Sequence, residues 1–261
     1  MPAAYVQSAS ASTTNDATTT VATPNFASSN TLANLIVYFI AYDNNSAGGA
    51  EPTISISDTR SNTYAKAGSF YDATNGLKIE VGYAKNIAAG ANAVTCTYGG
   101  SLATTYFKGI LAQEFSGLDT ATPFVTGEVQ IGETLSNSAG TDTLVSGNLP
   151  ALASQPALIL GFTTLLRSLG AAMTAGTGFA LNGPNFWDFG FTGNTFGGAE
   201  SKRVLSTAAT QATFSTTDSV DIYLTAAMAL HEPGAAPTFP PVPGSPNTIP
   251  GFQQHNALMV N

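Results

Sequence analysis

Few residues in this chain of 261 have the types that bond-making chemistry needs. There are two histidines, His231 and His255, and one cysteine, Cys96, against sixteen acidic residues. A serine hydrolase requires a nucleophile, a histidine and an acid within reach of one another. His231 ends an alternating run that directs it outward, His255 falls in the tail, and no Gly-x-Ser-x-Gly turn occurs. Structural zinc draws on Cys and His, and three such residues far apart are too few. Asp43-Asn44-Asn45 carries oxygens of the kind calcium takes, although Asx-rich turns commonly satisfy their own backbone. No glycine-rich loop carries the lysine that cradles a phosphate. Glycoside hydrolysis uses two carboxylates across a cleft, and so many acids supply pairs without singling one out. Glu114 closes a hydrophobic run, where a rim carboxylate paired with a lysine or a backbone amide is expected. Cys96 alternates with Val94 and Tyr98 and is expected as a small buried hydrophobe. The expectation is a protein without catalytic residues, cofactor or metal.

Two stretches carry recognition chemistry instead. Gly183-Pro184-Asn185-Phe186-Trp187-Asp188-Phe189-Gly190-Phe191 gathers four aromatics beside Asn and Asp. Such a loop can plug the end of a sandwich, anchor a protein contact, or stack a sugar, and all three readings stay open. After Glu232 come Pro233, Pro237, Pro240, Pro241, Pro243, Pro246 and Pro250, which exclude a sheet interior and favour extended chain. This arm carries Phe239 and ends with Phe252, Leu258 and Met259, apolar residues able to dock on a neighbour. Phe186, Trp187, Phe189, Phe191, Phe239, Phe252, Leu258 and Met259 are the candidate protein or glycan contacts.

Only 9% of residues are charged, and the net charge is −8. Phosphate binding needs clustered Lys and Arg, and Lys202-Arg203 is the only adjacent basic pair, so nucleic acid is not an expected partner. The start, Met1-Pro2-Ala3-Ala4-Tyr5, has neither the basic nor the apolar region of a secretory signal. No apolar run approaches the ~20 residues that span a bilayer, so no membrane partner is expected.

The elements that would position these residues are strands. Leu77, Ile79, Val81 and Tyr83 alternate with Lys78, Glu80, Gly82 and Ala84; Val220 to Leu230 alternates likewise with Asp221 to His231. Period two places one face inward and one outward, and no sustained helical repeat occurs. Strands are expected near residues 4–9, 18–25, 34–43, 53–58, 63–71, 77–86, 92–98, 106–116, 124–132, 141–147, 157–166, 177–181, 203–214 and 219–231, with a short helical turn within 165–175. Thr74-Asn75-Gly76 reads as a hairpin turn. Connections too short for helical crossovers favour antiparallel order. The organisation expected is an all-β antiparallel sandwich over residues 1–232 and an extended proline-rich arm over 233–261.

Several segments together resemble a β-sandwich module of tailed-bacteriophage and prophage virion proteins. They are Asn34-Leu35-Ile36-Val37-Tyr38-Phe39-Ile40-Ala41-Tyr42-Asp43, Ser57-Asp58-Thr59-Arg60-Ser61-Asn62-Thr63-Tyr64, Tyr83-Ala84-Lys85-Asn86-Ile87-Ala88-Ala89-Gly90-Ala91-Asn92 and Glu114-Phe115-Ser116-Gly117-Leu118, with the closing strand from Ile222 to Leu230. The second motif also reads as a turn with Asn62 in the left-handed region before Tyr64 re-enters a sheet. Its Thr59-Arg60-Ser61 stretch is longer than the module's usual small residue, and the proline arm lies outside the pattern. The resemblance implies a jelly-roll-like or immunoglobulin-like sandwich and no catalytic residues. It implies a non-enzymatic virion protein made in the host cytoplasm, with capsid decoration or cement as the leading role. The expected partners are capsid or other virion proteins and further copies of the chain. A tail appendage or carbohydrate-binding module that recognises a host surface is the alternative, with a glycan as its partner.

Overall fold

The computed structural model describes residues 1–14, 18–43, 50–100, 107–135, 142–166, 173–183, 195–216 and 222–234. Among these residues there is no helix, and every strand pairing is antiparallel. The all-β sandwich expected from period-two alternation is the architecture observed.

The first eight strands are β1 (Ala4–Thr13), β2 (Thr20–Ala22), β3 (Leu35–Asp43), β4 (Thr53–Asp58), β5 (Tyr64–Asp72), β6 (Leu77–Ala84), β7 (Val94–Gly99) and β8 (Phe107–Ser116). They form a five-stranded sheet, β1-β8-β3-β6-β5, and a three-stranded sheet, β2-β7-β4. The next eight are β9 (Val129–Leu135), β10 (Asp142–Val145), β11 (Ala157–Leu166), β12 (Met173–Ala175), β13 (Ala180–Leu181), β14 (Thr195–Val204), β15 (Thr213–Thr216) and β16 (Ile222–His231). These form β9-β16-β11-β14-β13 and β10-β15-β12. Strand for strand, the second set repeats the order of the first.

The register repeats as well. Leu35 of β3 faces Phe115 of β8, and Leu158 of β11 faces Leu230 of β16. Phe39 stands between Val81 and Leu111, as Phe162 stands between Ala199 and Ala226. In the small sheets Val21 faces Cys96 and Leu144 faces Phe214. The chain is therefore a tandem repeat of one eight-stranded pattern.

The two five-stranded sheets pack face to face. Leu35, Val37 and Phe39 of β3 share one core with Leu158, Leu160 and Phe162 of β11 and with Leu224, Ala226 and Met228 of β16. The opposite face of the first large sheet packs on the first small sheet through Ile36, Tyr38, Ile40, Val94 and Cys96. The second small sheet and the connections beside it cover the second large sheet through Leu144, Met173, Phe214, Leu149 and Leu152. Four layers result, with a small sheet outermost on each side. This layering explains why β3 is buried at every position and carries no charge before Asp43: it lies in the middle of a sheet with core on both faces.

It also corrects the expectation that alternate residues of β6 and β16 face outward. Lys78 and Glu80 on β6, and Ala227, Ala229 and His231 on β16, are buried. Their face of the sheet is covered by the next layer and its flanking loops. Three local expectations change too. Thr195–Val204 is a strand, whereas one strand was expected over 203–214, where Arg203 and Val204 end β14 and Thr213 begins Thr213–Thr216. Its glycines read as loop, but Gly198 serves close packing, since a Cβ there would stand 2.3 Å from the Met173 sulfur. Within the stretch expected as a helical turn, Leu165 and Leu166 end β11 and Met173–Ala175 is β12. In the Asp58–Tyr64 turn the left-handed residue is Ser61 (φ 57°) and not Asn62. Asn62 instead uses its backbone and side-chain N–H groups to bond Asp58. The hairpin at Thr74-Asn75-Gly76 forms as expected, with Gly76 at φ 73° and Asp72 accepting from the Thr74 amide.

Candidate functional site

Phe186, Trp187, Phe189 and Phe191 fall in the connection between β13 and β14, outside the described residues. Phe239, Phe252, Leu258 and Met259, and the arm from residue 235 onward, also fall outside them. The aromatic connection takes the place held in the first half by the tight turn over residues 73–76. Gly183 (φ +84°), the described residue before it, lies beside β1, and a Cβ there would stand 2.8 Å from Ser8 Oγ.

The described residues form a cleft of about 590 Å³ that sequence reasoning missed. Its origin is topological. β5 pairs with β6 in the large sheet, which leaves β4 as the free edge of the small one. Glu51, Ile54, Tyr64, Lys66, Lys78 and Glu80 are among the residues around this gap. Lys78 is buried and donates to Glu51 Oε1 at 2.5 Å and to the Pro52 carbonyl at 3.1 Å, with Glu80 Oε2 at 3.8 Å. Tyr38 donates to Glu80 Oε1 at 3.1 Å. Burial raises the Glu80 carboxyl above its usual range, against the Tyr38 hydroxyl and the charges of Lys78 and Lys66. The two carboxylates thus hold a lysine between them and do not face each other across open space, as glycoside hydrolysis requires. What the cleft offers is a polar floor of fixed donors and acceptors.

Tyr38 reaches this floor because its cross-strand partner is Gly82. A Cβ there would stand 2.5 Å from the Tyr38 ring. In the repeat the sizes are exchanged. Gly161 holds the Tyr38 position, Glu200 holds the Gly82 position, and a Cβ on Gly161 would meet Glu200 at 2.8 Å. Glu200 turns to the backbone and accepts from Gly176 N at 2.8 Å and Thr213 N at 3.0 Å. Burial pushes its carboxyl up to about 7, against these two amides and Lys202.

Two further acids organise loops. Glu114 is fully buried and accepts from Gln7, Asn30 and Asn34 side chains and from Thr31 N at 2.6–2.8 Å. The backbone amide expected as a partner is there, in Thr31 N, but the carboxylate is buried and not at a rim. Asp58 accepts from Arg60 N, from Asn62 twice, and from Tyr64 and Asn92. Burial alone would raise its pKa, but the bonds from Asn92, Asn62 and Tyr64 outweigh burial and bring it below the ordinary value.

Cys96 is buried as expected, and burial pushes its thiol up to about 12. Among the described residues no three His, Cys, Asp or Glu converge on a metal position; Asn44 and Asn45 lie outside them.

His231 departs most from expectation. It is buried at the end of β16, with its Nε2 against Glu128 Oε2 and its Nδ1 2.8 Å from Ser154 Oγ. Glu128 Oε1 accepts from Ala153 N at 2.5 Å. The strand pattern hid this because β16 is covered on both faces, by the first large sheet on one and by connections far away in sequence on the other. No family model, no curated protein and no solved structure matches this chain.

Proposed function

We propose that this protein is a bacteriophage virion structural protein, a capsid decoration or cement protein that binds across shell subunits. The observation that carries the reading is the pair of outer faces. Thr53, Ser55 and Ser57 of β4, with Thr95 and Thr97 of β7, point away from the first small sheet. Thr143, Thr174, Thr213 and Ser215 do the same on the second. These faces lie on opposite sides of a four-layered molecule and carry hydroxyls without charge. Docking on them desolvates no ion, which is the costly part of covering a polar surface. A molecule with two equivalent faces pointing apart suits a bridge between neighbours.

Two further points support it. The order β1-β8-β3-β6 beside β2-β7-β4 supports reading each half as a jelly roll with its fifth strand in the larger sheet, and jelly rolls recur in capsid and lectin domains. The segments resembling a phage sandwich module include β3, the Asp58 turn and β8. The proline-rich arm adds contact area at low ordering cost. The test is co-sedimentation with shells of the phage or prophage that encodes the chain. The full chain binds assembled shells and not free subunits. A chain ending at Glu232 folds and binds more weakly; equal binding removes the arm from the account.

A second reading, host-surface glycan recognition by a tail appendage, is favoured by the cleft, whose fixed polar floor suits sugar hydroxyls. Glycan-array binding that is lost in Lys66→Ala or Trp187→Ala, with folding intact, supports it over the first.

A further inference from the structure

We propose that Ser154, His231 and Glu128 form an acyl-transfer site that takes short-chain esters. The geometry assigns the roles. A carboxylate only accepts hydrogen bonds, so the His231 nitrogen facing Glu128 carries the proton in the neutral ring. That nitrogen is Nε2, which leaves Nδ1 as an acceptor for the Ser154 hydroxyl at 2.8 Å. The arrangement is nucleophile, base and orienting acid, recognised by roles and not by which ring nitrogen serves.

The site is held in advance of any substrate. His231 is fixed by its backbone on both sides: its N–H donates to the Pro123 carbonyl at 2.7 Å, and its carbonyl accepts from Asp119 N at 2.9 Å. Glu128 is buried and spans two partners, the imidazole and the amide of Ala153, the residue before Ser154. Burial thus follows the order the chemistry needs: acid and base enclosed, nucleophile exposed. Pinning the loop requires only the bond from Ala153 N to Glu128. Burying a carboxylate and an imidazole costs more than burying apolar residues of the same size, and the serine hydroxyl on an exposed loop adds little stability.

The step is balanced without a cofactor. Ser154 Oγ attacks the ester carbonyl carbon as its proton passes to His231 Nδ1. The carbon–oxygen bond to the alcohol breaks and the alcohol leaves with that proton. Water, deprotonated by the same nitrogen, then releases the acid and restores Ser154. Because Ser154 stands exposed, the substrate class is an ester that presents its carbonyl at a surface, with a short acyl group. This capability is independent of the bridging role.

The full chain is treated with a fluorophosphonate probe and mapped by mass spectrometry, and its hydrolysis of p-nitrophenyl acetate is followed. The site predicts one adduct, on Ser154, and turnover that falls to the uncatalysed rate in Ser154→Ala. In His231→Gln, kcat falls about 100-fold or more. Glu128→Gln lowers kcat with little change in KM, and Glu128→Asp restores part of it. Should the variants at the two buried residues fail to fold, the exposed Ser154→Ala still decides. Absence of a Ser154 adduct, or hydrolysis unchanged in Ser154→Ala, overturns the proposal and leaves the trio as a pin on the loop.

Discussion

Phe39 stacks on Phe162 across the junction of the two halves, with ring centroids 5.3 Å apart and planes 8° from parallel. The two residues hold the same register position in the repeated pattern, between Val81 and Leu111 in one half and between Ala199 and Ala226 in the other. A residue touching its own equivalent marks a two-fold relationship, the signature of an isologous interface. Here the two partners are joined in one chain, and the contact lies within the main hydrophobic core.

Removing either ring should open a cavity at the centre of the molecule. Phe39→Ala and Phe162→Ala are each expected to cost about 3–5 kcal/mol in urea unfolding. A double-mutant cycle should show coupling of about 0.5–1.5 kcal/mol from the ring pair itself. Additive losses would mean that the stack contributes nothing beyond buried area.

Glu200 gives the fold a pH dependence of known sign. Its folded pKa, about 7, lies above its unfolded value, so the folded state binds the proton more tightly. The associated stability is full below the unfolded pKa and is lost as pH rises through about 7. It amounts to about 3 kcal/mol at most. Thermal unfolding of the wild type should therefore weaken between pH 5 and pH 8, and Glu200→Gln should flatten that part of the profile. At pH 5 the Glu200 carboxyl is protonated and, like Gln, presents one carbonyl oxygen, so wild type and variant should differ least there.

Glu114→Ala should be among the costliest single changes outside the apolar core. It strands donors on Gln7, Asn30, Thr31 and Asn34, of which Asn30 and Asn34 are buried. A loss of about 3 kcal/mol or more is expected, since each buried unpaired group costs about 1–3 kcal/mol. Faster hydrogen exchange at the Thr31 amide would locate the damage.

Strand identity was legible in the sequence wherever one face is apolar, as at β4 and β7, and wherever a long uncharged run is mostly apolar, as from Leu35 to Tyr42 of β3. β14 was not, because Gly197 and Gly198 read as punctuation and the reason for Gly198, the close approach of Met173, is a tertiary fact. The repeat was hidden for a similar cause. Leu35-Ile36-Val37-Tyr38-Phe39 and Leu158-Ile159-Leu160-Gly161-Phe162 share a pattern, but the exchange of Tyr38 with Gly82 for Gly161 with Glu200 preserves volume across strands and not along the chain. The cleft and the Ser154–His231–Glu128 cluster each join residues brought together by strand order, so spacing along the chain carried no sign of either. The acid at Glu114 was visible as unusual, but its ring of amide donors was not.

The bridging account is tested most directly by charging both outer faces at once. Ser55→Lys combined with Thr174→Lys places a cation on each exposed small-sheet face without touching a core residue. Folding should be unchanged, and binding to assembled shells of the encoding phage or prophage should fall at least about tenfold, because a lysine on each contact must be desolvated. Binding equal to that of the wild type, or no binding by the wild type itself, would contradict the account.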